Sequence, residues 1–298
     1  MSEWLSNVEK RLDELFWGGD MDKRINEKID KLFVEESAKE VLRNADKIME
    51  KNSKREKKVA YTPLIIADEG SGFIDYIQLY ASMVDKFISV EERGATSLLM
   101  RVFPKDDDEK LKMFFSSVLE AASYRNRFYG TMLISFQEFK GLDLIRSTAF
   151  RELLNFVSTN RDNIRFVIHV MPSFSEKDRL IAVLQDIVSV VEVRLEKPGV
   201  EMGYAFVMKE FNEYGYGYTL TEDTKKLLKE RVIPDLCKMD SYMGFKTLNN
   251  FAVRLEVEAA TIRLDGDYVI DEAVLNSVLS KMKKEEAYRR DNGFGFGR

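Results

Sequence analysis

One stretch of this chain has the shape of a phosphate-binding loop. An apolar run over residues 61–67 (YTPLIIA) ends at Asp68-Glu69-Gly70-Ser71-Gly72, and helical periodicity begins at Phe73. Strand, glycine turn and helix in that order let backbone N–H groups and a helix N-terminus surround an anionic phosphate. Laid on the pattern G-x-x-x-x-G-K-[ST], the sequence reads Ala67, Asp68, Glu69, Gly70, Ser71, Gly72, Phe73, Ile74. Ala67 stands where the first glycine is expected, while Gly70 and Gly72 keep the permissive backbone. Phe73 takes the lysine position and Ile74 the Ser/Thr position. The loop then offers no cation to the β and γ phosphates and lacks one Mg²⁺ ligand. Asp68 and Glu69 add negative charge where an anion would sit.

Other chemistry is excluded by scarcity. The single Cys237 and single His169 lack the companions that a zinc site, an internal disulfide or a Cys/His dyad requires. His169 at a strand end and Cys237 in an amphipathic helix read as structural residues. The net charge of −5, from 46 basic and 51 acidic residues, supplies no global field for nucleic acid, so a nucleic-acid binder is disfavoured. A third of the residues charged and 45% hydrophobic is a soluble globular composition. No apolar run approaches the roughly 18–20 residues that span a bilayer, and the start lacks a signal-peptide pattern, so a cytoplasmic location without membrane contact is expected.

The elements that must position the loop follow from periodicity. Candidate strands at 61–67, 97–103, 131–136, 164–170 and 188–195 alternate with helical segments at 73–87, 108–127, 147–159 and 175–186. Such alternation predicts an α/β domain over 59–198, a parallel five-stranded sheet with helices on both faces. An all-helical domain over 199–289 should follow, with Thr221 capping a helix that Pro234 kinks or ends. In front, residues 1–58 hold 14 basic and 14 acidic residues. Leu5, Val8, Leu12, Leu15 and Phe16, then Ile25, Ile29, Leu32 and Phe33, recur there at helical spacing on either side of Gly18-Gly19. These amphipathic helices either pack on the body or form a partner-binding arm. The last stretch, 290–298, ends in GFGFGR, a flexible aromatic tail suited to docking or merely a remnant.

This order of elements resembles the AAA+ ATPase module, a P-loop NTPase-like core followed by a helical lid, and most closely the CbxX/CfxQ-type group. The likeness runs over about 39–284 and is carried by the strand-turn-helix at 63–87, the third strand GTMLISFQEF and the segment YMGFKTLNNFAVRLEVEAATIR. The resemblance implies a metal-holding Asp and a water-orienting Glu at the end of the third strand. Here Phe136-Gln137 replace the pair in one register; in the other, Gln137 replaces the Asp and Glu138 keeps the Glu. The implied lid arginine falls near Asn249, with Lys246 and Arg254 displaced, and the implied sensor falls between His169 and Ser173. Arg179 and Arg194 sit outside the context of an arginine finger, and Phe103-Pro104-Lys105 followed by three aspartates does not suit a substrate-gripping loop.

Losses at the loop lysine, the loop hydroxyl, the metal Asp and the lid arginine predict a degenerate Walker A site and a pseudoenzyme with no catalytic residues, no metal and no firmly held cofactor. The expected role is a scaffold, adaptor or regulatory subunit acting through a protein partner or self-assembly. The alternative is a nucleotide-responsive switch binding ATP or ADP weakly, and an active ATPase ranks below both. Ranked behind the resemblance is the reading in which ADEGSGF is an ordinary strand-to-helix turn with no AAA+ relationship.

Overall fold

The computed structural model describes residues 21–53, 61–86, 100–102, 130–136, 148–161, 164–214, 219–262 and 269–291. Outside them lie Gln137 and Glu138, the 5–16 apolar stripe, the 103–108 segment, the expected 108–127 helix, the Gly215–Tyr218 part of the tyrosine-glycine turn and the GFGFGR tail. The chain divides into two compact units, Met1–Ile66 with Ile74–Arg194, and Ala67–Phe73 with Leu195–Arg298. The phosphate-loop residues therefore group with the helical unit, and the N-terminal helices group with the sheet.

In the first unit, α1 (Met21–Lys31) and α2 (Glu36–Ser53) precede β1 (Tyr61–Ala67) and α3 (Phe73–Lys86). Ala38, Leu42, Ala45 and Met49 recur every three or four residues on α2 and are all buried. The Tyr76 hydroxyl of α3 donates to the Ala38 carbonyl at 3.1 Å, so α2 packs on the body. Then come β2 (Met100–Val102), β3 (Gly130–Ser135), α4 (Thr148–Asn160), β4 (Ile164–Val170), α5 (Lys177–Gln185) and β5 (Ser189–Leu195).

The five strands form one sheet in the order β2-β3-β4-β1-β5. Parallel ladders join β2 to β3, β3 to β4 and β4 to β1, with Ile134 opposite Ile168 and Leu64 opposite Ile168. Parallel strands need covered faces, and these have them. Leu64, Ile66, Met132, Ile134, Phe166 and Ile168 face a core filled by Phe150, Leu153 and Val157 of α4 and Leu180 and Leu184 of α5. The alternate residues Ile65, Leu133 and Val167 are equally buried. Thr131 on that second face is fully buried, and among the described residues its hydroxyl has no hydrogen-bond partner. A buried orphan costs desolvation with no return, so Thr131→Val should leave stability unchanged or raise it by about 1 kcal/mol in thermal unfolding. A clear loss would show that the hydroxyl is satisfied after all.

The helical unit contains α6 (Val200–Tyr214), α7 (Glu222–Leu227), a π turn (Leu228–Val232), α8 (Ile233–Cys237), α9 (Phe245–Ile262) and α10 (Glu272–Asp291). Thr221 caps α7, its hydroxyl accepting from the Thr224 amide at 3.2 Å. Pro234 does not end the helical run. The π turn shifts hydrogen bonding by one residue just before it, which relieves the clash between the proline ring and the carbonyl four residues back, at Glu230. A short parallel pair, β6 (Thr219–Leu220) with β7 (Val269–Ile270), leads into α7 and α10. The core joins Val207 and Phe211 of α6, Leu248, Phe251 and Leu255 of α9, and Leu275, Val278 and Leu279 of α10. Along the α9–α10 seam, Arg254 grips Glu285 and Lys281 grips Glu258, and each cation holds its carboxyl below the ordinary range.

Candidate functional site

The connection leaving β1 runs across β4 and β3 to β2, whereas the connection leaving β4 crosses β1 to β5. Strands whose connections diverge in this way leave a crevice at their carboxyl ends, where α/β sheets bind ligands. The loop Asp68–Gly72 follows β1 at that end. Gly70 and Gly72 have φ of 81° and 79°, a region open to glycine at little cost. Ser71 is buried, and both its amide and its hydroxyl donate to the Asp68 carbonyl, at 3.4 and 2.9 Å. The hydroxyl of the loop is thus spent inside the loop.

The start of α9 joins this loop. The Phe245 amide donates to the Gly70 carbonyl at 2.8 Å, and Lys246 Nζ lies 2.9 Å from Glu69 Oε2. A Cβ on Gly70 would collide with the Met243 carbonyl, and one on Gly244 would collide with the Gly70 carbonyl and come within 3.1 Å of Pro198 Cδ. Gly244 has φ of 55°. Around this seam the Thr247 hydroxyl accepts from the Met243 amide at 2.8 Å, and the Tyr242 hydroxyl donates to the Pro198 carbonyl at 2.6 Å. Burial, together with Cys237, pushes the Tyr242 phenol up, so it stays a donor.

The remaining predicted positions fall in several places. Phe73 opens α3 and is only 4% exposed, Ala67 is buried and Ile74 is half-buried. Of the three helical-unit residues, Lys246 meets the loop. Arg254 instead makes a two-pronged contact with Glu285 at 2.7 and 3.0 Å, with its Nε on Asn250, and Asn249 is exposed on α9. At the end of β3, Phe136 is 1% exposed, stacked on Phe174 and edge-on to Phe150, and its amide donates to the His169 carbonyl. Ser173, Arg179 and Arg194 are exposed.

Two features escaped sequence reasoning. Ser135, the last residue of β3, stands opposite His169, and its hydroxyl meets His169 Nδ1 at 2.8 Å with both side chains fully buried. The signal was a polar residue at or next to the end of each of two mainly apolar strands, visible only once the register is known. Gly244 was the other, inside YMGF, a segment read for its later polar residues. Among the described residues no three His, Cys, Asp or Glu side chains gather as a metal site, and no helix is long and apolar enough to cross a membrane.

The residues present do not fit a Mg-nucleotide. The loop backbone is packed against Met243 and Gly244, its carboxylate faces the nearest lysine, and the helix opens on a buried phenylalanine.

No protein-family model matches the chain, and neither does any curated protein sequence. Solved structures do. The ORC1 protein of Aeropyrum pernix, solved in complex with DNA, superposes with a TM-score of 0.52 at 13% identity, over 81% of this chain and 64% of that one. PCH-2 of C. elegans gives 0.50 at 12% identity, over 83% and 68%. The fold is AAA+-like. This AAA+-like chain spans just under two thirds of the ORC1 chain's length. At such identities the likeness reaches the fold alone, and the chemistry of the site follows from its own residues.

Proposed function

We propose that this is a catalytically inactive AAA+-like protein that works through its surfaces, as a scaffold, adaptor or regulatory subunit for a protein partner or for its own assembly. The observation that carries the reading is Phe136. It directly follows β3, at the position where one of the two registers of the family resemblance puts the metal-holding Asp, and it is buried among Phe150 and Phe174. A side chain packed in that way serves the core and cannot ligate Mg²⁺. Phe73 at the lysine position supports the same reading, because an apolar ring there gives no charge to a transferring phosphoryl group. The finer likeness to the CbxX/CfxQ group rests on local sequence pattern. The mildly acidic net charge favours protein over nucleic acid as partner.

A second reading has its own support. Gly70 and Gly72 keep the positive φ that phosphate loops use, which suits a switch that binds ATP or ADP without efficient hydrolysis. Thermal unfolding with millimolar ATP or ADP separates the two. A ligand-independent midpoint is expected for the scaffold; a midpoint that rises with nucleotide would show binding to the folded state and favour the switch.

A further inference from the structure

The misfit between the loop and a nucleotide has a specific form. The loop and the start of α9 meet through the Phe245–Gly70 hydrogen bond, the Gly70–Gly244 approach and the charge pair of Glu69 with Lys246. A lysine beside a phosphate-type loop is matched to an anion. Here the anion is a carboxylate of the loop itself, 2.9 Å from the ammonium. An incoming polyphosphate would meet a cation already paired and the further carboxylate of Asp68. We propose that Glu69 is an internal counter-ion standing in the place of a nucleotide phosphate, so that the loop and α9 are joined without a ligand and a nucleoside triphosphate would have to displace Glu69 to bind. This deepens the inactive reading and rests on it for the identity of the displaced ligand.

The pair is partly exposed, Lys246 by 63% and Glu69 by 41% of their side chains, so charge changes there are tolerated by the fold and their effect is local. The readout is hydrogen exchange at the Phe245 amide of the full chain. The single reversals Glu69→Lys and Lys246→Glu should each speed exchange about two- to fivefold, the range of an exposed ion pair. The combined reversal should return it toward wild type, as a coupled pair requires. Millimolar Mg-ATP should leave exchange in the wild-type chain unchanged. The proposal is overturned if the single reversals change nothing, if the double reversal does not restore protection, or if Mg-ATP slows exchange while Glu69 is intact. ATP turnover by the wild-type chain would remove the inactive reading, whereas the charge reversals test the counter-ion role separately.

Discussion

Replacing Gly244 by alanine should destabilise the protein by about 2–5 kcal/mol. Of this, about 1–2 kcal/mol comes from holding an L-residue at left-handed φ, and about 1–3 from driving a methyl group into packed atoms. The atoms are the Gly70 carbonyl and the Pro198 ring, and neither is the far end of a flexible side chain that could swing away. Gly70→Ala should cost as much, because its φ is also positive and its new methyl would strike the Met243 carbonyl. The control is Gly199→Ala, where a Cβ would meet nothing within 4 Å. Urea denaturation of the three variants should leave Gly199→Ala close to wild type and lower the midpoint of the other two. Equal behaviour of all three would mean that loop and α9 do not touch backbone to backbone.

The second large effect is expected at Phe136. Truncation to alanine should cost about 3–5 kcal/mol, the range for emptying a buried phenylalanine site. Phe136→Asp should cost more than that, because it adds the burial of a carboxyl group among Phe150 and Phe174 with no cation beside it on the described strand. Thermal unfolding of the two variants decides whether the position belongs to the core or to a polar site. If the aspartate variant were as stable as the alanine one, water and counter-ions would reach this strand end, and the argument from its burial would collapse.

How much of this was legible in the sequence depends on how local each signal was. β1 and β4 coincide with the expected 61–67 and 164–170 because each is a mainly apolar run, broken only by Thr62 in β1 and by Arg165 and His169 in β4. The helix after the glycine turn likewise begins at the expected Phe73. Pro234 was expected to kink or end its helix; the helical run continues past it by way of a π turn, which nothing local announces. Arg254 was nominated as a candidate in the helical unit, but its partner Glu285 lies on a different helix, and their pairing follows from the packing of α9 on α10. The seam between Gly70 and Gly244 is farther still from any local pattern. Two glycines in unrelated turns become informative only when their backbones are brought together. The Ser135–His169 pair depends in the same way on strand register, which fixes them as opposite neighbours.

What these residues share is that the family resemblance looked for charge where the fold has placed backbone and rings. Phe73 and Phe136 are buried, the Ser71 hydroxyl bonds to its own turn, and the lysine that reaches the loop is paired with a carboxylate. The measurement that bears most directly on this account is phosphate release from Mg-ATP by the purified full chain. The account predicts no turnover above the uncatalysed background, with or without Glu138→Gln. Turnover by the wild-type chain that disappears in Glu138→Gln would contradict it.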